Sequence, residues 1–247
     1  MGYVAYDRHP EKQDITEINY EEVPLEWSRH MKIVEIFRSR QGEGPNAGKE
    51  TVFLRLALCN LRCVWCNTKY SWRGGVDMSV YDVCSRLMSI GNEVRHLVIT
   101  GGEPLLWLDE LMPLLRMIKS LGWYVEVETN GTIPPNGLVN YVDEFNVSPK
   151  LSNSGLPMRV RINELAVREF VISGKAVFKF VIENQKDGEK VLWFINKFSI
   201  PRDRIYLMSQ CTSRDECIRK DEEIMKPMAS RLGTMFTPRL HIIQGFK

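Results

Sequence analysis

Apolar and polar positions fall in short blocks along this chain, and the blocks change period in a regular order. Residues 34–37 and 51–57 are short apolar runs of strand type. From Ser79, a candidate N-cap, the residues Val80, Val83, Leu87 and Ile90 recur on one helical face, and Gly91 supplies a stop. Residues 96–100 read as a buried strand and 106–121 as a helix, with further strands over 123–128 and 143–147. Residues 151–163 read as a loop and 164–170 as a short helix. Beyond them the pattern predicts a strand over 176–182, a helix over 187–198 that stops near Pro201, and a strand over 204–208. A helical stretch over 214–232 and a last strand over 239–243 complete the pattern. Strands alternating with helices predict an α/β domain with a mainly parallel sheet covered by helices.

Length and composition add bounds. A chain of 247 residues suits one α/β domain of the barrel type or two small domains. Apolar content of 44% and charged content of 26% are those of an ordinary globular protein. No apolar run approaches the ~20 residues of a membrane span, and residues 1–27 lack the features of a secretory signal. Residues 1–30 carry seven acids and three bases, a net of −4, against +6 for the remainder. They read as an acidic N-terminal extension, partly disordered or lying along the surface, before a core domain over 31–247. A mildly basic body suits an anionic small substrate and is too weak a signal for nucleic acid. Six cysteines, three of them clustered, point to a reducing cytoplasm and a metal site rather than a disulfide framework.

The cluster is Cys59, Cys63 and Cys66, spaced C-x3-C-x2-C directly after the strand-like run 51–57. Three soft ligands on one tight loop suit a [4Fe–4S] cluster and leave one of its irons without a protein ligand. Zinc is the alternative and needs a fourth donor. The four histidines have no spacing that supplies one, while Cys84, Cys211 and Cys217 remain candidates. Cys84 reads as a buried small hydrophobe; Cys211 and Cys217 read as bystanders or as redox-active thiols. Cys59, Thr100–Glu103, Glu128–Asn130 and Ser148–Lys150 all fall at the C-terminal ends of predicted strands. In a parallel α/β sheet that edge is the active face, so the four segments converge on one site.

The three-cysteine loop, with Trp65 just before its third cysteine, resembles the signature of the radical S-adenosylmethionine superfamily. The resemblance implies that the open iron chelates S-adenosylmethionine and that a 5′-deoxyadenosyl radical takes a hydrogen atom from the substrate. Gly101-Gly102-Glu103-Pro104 resembles the superfamily's second signature, with the loop backbone and Glu103 holding the methionine ammonium. By the same resemblance Ser148 and Lys150 reach the ribose and carboxylate, Trp65 borders the adenine, and Met208 and Ser209 border the adenosyl group. Gln41-Gly42-Glu43-Gly44, Arg55 in an apolar strand, Asn67-Thr68 and Glu128-Thr129-Asn130-Gly131 come in the order that marks the 7-carboxy-7-deazaguanine synthase family.

Over 31–247 that resemblance implies a single compact partial (incomplete) parallel β/α barrel of the radical SAM type. The substrate it implies is 6-carboxy-5,6,7,8-tetrahydropterin, contracted to 7-carboxy-7-deazaguanine with loss of ammonia. An arginine in a strand wants a carboxylate, so Arg55 suits the substrate's. Glu43 and Glu128 can accept the adjacent N–H groups of the aminopyrimidinone edge, with Gln41, Gly42 and Thr100 beside them. Thr68 is implied as a Mg2+ ligand; the family usually has Asp before it, where this chain has Asn67. A flavodoxin- or ferredoxin-type reductant and a homodimer are implied as well, and Phe246 and Lys247 stand where family members often close the pocket. Two rival functions remain at this level: an activating enzyme that makes a glycyl radical on a partner protein, and a non-catalytic metal-binding module.

Overall fold

The structure, a computed structural model, describes residues 24–247. Most of the acidic extension therefore lies outside the described residues. Its last part, a single 3-10 turn at Leu25–Ser28, is tied down by Glu26, which pairs with Arg116 at 3.1 Å.

Strands β1 (His30–Arg40) and β2 (Glu50–Leu56) form an antiparallel pair, and β3 (Val76–Ser79) adds antiparallel to β1. Helix and strand then alternate as α1 (Val80–Gly91), β4 (His96–Gly101), α2 (Leu108–Ser120) and β5 (Tyr124–Thr129). They continue through β6 (Glu144–Val147), α3 (Met158–Arg161), α4 (Glu164–Ile172), β7 (Ala176–Ile182) and α5 (Asp187–Phe198). Last come β8 (Ile205–Ser209), α6 (Arg214–Lys220), α7 (Lys226–Leu232), β9 (Met235–Phe236) and α8 (Leu240–Gln244). The sheet order is β3-β1-β2-β4-β5-β6-β7-β8-β9, and every neighbour from β2 to β9 is parallel. The two ends do not meet, so this is an open, partial barrel.

Local chemistry explains the elements. The Ser79 hydroxyl caps α1 by accepting from the Asp82 amide at 3.1 Å. Between α6 and α7 the helix widens into a π turn at Asp221–Met225, next to Pro227, whose nitrogen has no hydrogen to donate. The segment 239–243 departs from expectation: Leu240–Gln244 is helix α8, and the last strand is the two-residue β9. A short apolar run such as Leu240-His-Ile-Ile does not distinguish helix from strand by period alone. Strand β3 is likewise unexpected, and the 151–163 loop contains the single turn α3.

Strand alternation divides the sheet into two faces. Leu97, Ile99, Val125, Val127, Phe145, Phe178 and Phe180 point to the helices and share one core with Leu114 of α2, Phe170 of α4 and Phe194 of α5. Burying each such side chain fully is worth roughly 1.5–3 kcal/mol. The intervening residues, Thr100, Glu126, Glu128, Asn146 and Lys179, face inward. The inner surface of the barrel is thus polar, and there the site is built.

Candidate active site

A cavity of about 400 Å³ opens at the C-terminal edge of the parallel strands and runs down this polar face. Cys59, Cys63 and Cys66 all line it, and all three are free thiols. Burial pushes the Cys59 and Cys63 thiols above their ordinary pKa. Among the described residues no three His, Cys, Asp or Glu side chains close on one metal-sized point. The candidate fourth zinc donors are placed elsewhere. Cys84 is sealed in α1, where burial raises its pKa to about 11. Cys211 and Cys217, expected as bystanders or redox-active thiols, are joined as a buried disulfide with Cα atoms 5.2 Å apart. The reading of these two as bystanders is corrected accordingly.

The glycines of Gly101-Gly102-Glu103 have a steric reason. A Cβ at Gly101 would lie 2.1 Å from the Leu56 carbonyl oxygen, and one at Gly102 would lie 1.8 Å from that of Leu58. The amides of Gly102 and Glu103 donate to those same two carbonyls at 3.0 and 2.8 Å. The end of β4 is therefore laced to the entry of the cysteine loop. Glu103 corrects the expectation that its carboxylate faces a ligand. It is fully buried, does not line the cavity, and accepts from the Leu105 amide, the Thr129 hydroxyl and the Asn130 amide at 3.0, 2.7 and 2.7 Å. Burial pushes its pKa up despite these bonds. Its work is to hold the Thr129–Asn130 turn, and Asn130 in turn donates to Asn60 of the cysteine loop at 2.8 Å.

Gly101, Gly102, Trp65, Ser148, Lys150 and Met208 do line the cavity. The Lys150 ammonium donates to the Ser148 hydroxyl at 2.9 Å and stands 5.5 Å from the centre of the Trp65 ring. Ser209 does not join them. Its hydroxyl donates to Asp221 at 2.8 Å and lies 3.3 Å from the Cys211 sulfur, because neighbouring strand residues face opposite sides.

Gln41, Gly42, Glu43, Arg55, Thr100 and Glu128 all line the same cavity. The Arg55 Nε donates to Glu35 of β1 at 2.7 Å, an ion pair between neighbouring strands. Gln41 donates to Glu126 and Glu128 at 2.5 and 3.2 Å, and Thr100 donates to Glu128 at 3.2 Å. Glu43 accepts from Lys179 at 3.2 Å and from Arg239 at 3.3 Å, with His241 at 4.0 Å. Burial alone would raise its pKa, but these three bring it down to about 2. Gly42 makes room for His241, since a Cβ there would lie 2.3 Å from its Nδ1. Thr68 also lines the cavity. It stands at the N-cap of a 3-10 turn without capping it, its hydroxyl oxygen 3.6 Å from the Cys66 sulfur.

Sequence reasoning misses Lys179, Arg239, His241 and Glu35, all on the cavity wall. The signal that marks Arg55, one charge in an apolar strand, also marks Lys179 in Ala176–Ile182. Arg239 and His241 are hidden because their segment reads as a strand. Phe246 and Lys247 do reach the cavity, and the Lys247 ammonium meets Glu35 at 2.5 Å.

The chain is similar to several known proteins. The profile of the radical SAM superfamily matches residues 56–161. The 7-carboxy-7-deazaguanine synthase of Pyrobaculum aerophilum is 42% identical over 220 residues, covering 86% of this chain and 94% of that one. The synthase of Hyperthermus butylicus is 33% identical over 225 residues, covering 86% and 92%. The crystal structure of QueE from Escherichia coli superposes with a TM-score of 0.68 at 23% identity, over 86% of this chain and 95% of that one, and shows the same fold.

Proposed function

The chain belongs to the 7-carboxy-7-deazaguanine synthase family, and we propose that the cavity described above is the seat of its ring contraction. The enzyme is a radical SAM carbon–nitrogen lyase that converts 6-carboxy-5,6,7,8-tetrahydropterin to 7-carboxy-7-deazaguanine and ammonia. Its [4Fe–4S] cluster and S-adenosylmethionine, when bound, supply the radical that abstracts hydrogen from the substrate. The observation that carries the reading is the joining, in one cavity, of three free thiols with Arg55, Glu43 and Glu128.

The residues divide the work along that cavity. Cys59, Cys63 and Cys66 would hold the cluster. The backbone of Gly101 and Gly102 offers carbonyls to an ammonium, Lys150 offers a cation to a carboxylate, and Trp65 and Met208 give apolar surface to an adenine. Arg55 would hold the pterin carboxylate. Glu43 and Glu128 would take the N–H groups of the aminopyrimidinone edge, with Gln41 and Thr100 orienting Glu128. Thr68 would contribute a hydroxyl to a Mg2+ that also takes substrate oxygens and waters. Residues 31–247 contain this whole constellation, which leaves 1–30 as a non-catalytic appendage in our reading.

The partner of the cluster would be an acidic one-electron carrier of the flavodoxin or ferredoxin type. Residues 56–75 and 145–163, which include the cysteine loop and its neighbours, contain six bases and no acid. A cytoplasmic location would suit such a carrier. A homodimer is proposed from family likeness. No helix among the described residues is long and apolar enough to cross a membrane.

Anaerobic turnover with the carboxytetrahydropterin tests the function. Mass spectrometry should find the carboxydeazaguanine with wild type and little with Arg55→Ala. Absence of product from wild-type protein of verified cluster content sinks the reading.

A further inference from the structure

One buried cation stands between two carboxylates of the cavity. Lys179, in the middle of β7, has 3% of its side chain exposed, with its ammonium 3.2 Å from Glu43 Oε2 and 3.1 Å from Glu128 Oε1. A lysine this buried has to be paired, and here it is paired twice. We propose that Lys179 is a positioning residue that sets substrate specificity, holding the Glu43 and Glu128 carboxylates side by side so that both turn acceptor oxygens to the donor edge of the pterin. The inference rests on the function proposed above.

The neighbouring charges show which carboxylate depends on it. Glu43 has a second cation, Arg239 at 3.3 Å, and the His241 imidazole at 4.0 Å, both from the C-terminal segment. Glu128 has no ion pair besides Lys179 among the described residues, although His241 also lies within its field. Its remaining protein donors are the neutral Gln41 amide and Thr100 hydroxyl, both at 3.2 Å. The same inner face also carries Glu126, bound by His96, Gln41, Asn46 and Asn146, and Glu144, bound by Asn46 and Asn146. These bring further carboxyl groups to the inner face and no cation to Glu128.

Like charges crowded in a partly buried site repel one another. Without the Lys179 ammonium, Glu43 and Glu128 lose the donor they share and are no longer held side by side. The paired acceptors would then no longer match the adjacent donors of the substrate. Burial works against the Lys179 charge, but Glu128, Glu43 and Glu126 outweigh it and raise its pKa. The ammonium is thus a permanent charge at neutral pH rather than a proton donor. Its side chain lies on the inner face, away from the Phe178 and Phe180 packing on the outer one, so a neutral replacement leaves the core intact.

The test uses the full chain, reconstituted anaerobically with its cluster, as wild type, Lys179→Met and Lys179→Arg. For Lys179→Met the KM for the carboxytetrahydropterin should rise roughly 10- to 100-fold while cluster content and S-adenosylmethionine binding stay unchanged. The effect should fall on KM, with kcat changed much less. Lys179→Arg keeps a charge that can reach both carboxylates and should recover most of the lost affinity. A KM within threefold of wild type in the Met variant, or an Arg variant no better than the Met one, overturns the proposal. If the Met variant does not load its cluster, Lys179→Gln replaces it: the same rise in KM supports the proposal, and a KM within threefold of wild type overturns it. Wild-type protein that makes no deazapurine refutes the function instead, and so separates the two failures.

Discussion

Arg55 and Glu35 face each other across β1 and β2, with Nε 2.7 Å from Oε1, and the other oxygen of Glu35 meets the Lys247 ammonium at 2.5 Å. The guanidinium is held by its Nε edge, and no hydrogen bond among the described residues engages its two terminal nitrogens. The fork is left for a carboxylate. Arg55→Ala should cost about 2–4 kcal/mol in transition-state binding, roughly 30- to 1,000-fold in kcat/KM. Glu35→Gln removes only the orienting charge and should cost about 3- to 10-fold, mostly in KM. Steady-state kinetics with the pterin separate the two, and equal losses in both variants contradict this division of labour.

Gly102→Ala should damage the cluster site without touching a ligand. The new Cβ would meet the Leu58 carbonyl oxygen at 1.8 Å, which forces β4 away from the cysteine loop. We expect a loss of roughly 3 kcal/mol or more in a urea melt, together with reduced iron uptake on reconstitution. Full iron loading at wild-type stability would show that the two loops are not tied.

Glu144 predicts a pH slope in stability. Burial first, then the nearby Glu126 charge, raises its pKa from 4.5 to about 7. Between those values the folded chain keeps a proton that the unfolded chain releases, so this group lowers stability as pH rises from 4.5 to 7. Glu144→Gln still accepts from Asn46 and removes that slope. Calorimetric Tm measured across the interval should fall less steeply in the variant; parallel curves refute the assignment.

The Cys211–Cys217 disulfide closes a short loop between β8 and α6. Chain-entropy reasoning puts its stabilisation at roughly 2 kcal/mol. Cys217→Ser should lower Tm by several degrees and leave kcat for the pterin near wild type, since neither sulfur lines the cavity. A collapse of kcat at temperatures well below the variant's Tm would assign the disulfide to the site.

Asn67 gives a gain-of-function test. Asn67→Asp restores a carboxylate beside Thr68, and the Mg2+ concentration for half-maximal activity should fall several-fold. No change would separate this position from the metal.

Much of the site is legible in the chain because unusual residues interrupt apolar strands. Arg55 and the Glu128 strand end stand out that way, and the cysteine spacing needs no fold to be read. The same rule applies to Lys179 and Glu126, but substrate chemistry draws attention to carboxylate and arginine roles and passes over a lysine that touches only protein. Glu103 is misread because its partners Thr129 and Asn130 arrive from β5, a neighbour only the sheet order supplies. Met208 and Ser209 are neighbours in the chain, but strand alternation parts them. Pairing of Cys211 with Cys217 does not follow from spacing, since cysteine arithmetic leaves connectivity open.

The division of the sheet into an apolar outer face and a polar inner one also bears on how such proteins diverge. Outer positions answer to the helices packed on them, and drift there is limited by volume. Inner positions answer to one another and to whatever occupies the cavity. Odd and even residues of the same strand are therefore free to change on separate timetables. A lineage could rewrite Gln41, Thr100, Glu128 and Lys179 for a different heterocycle while its β5 and β7 core residues stayed as they are.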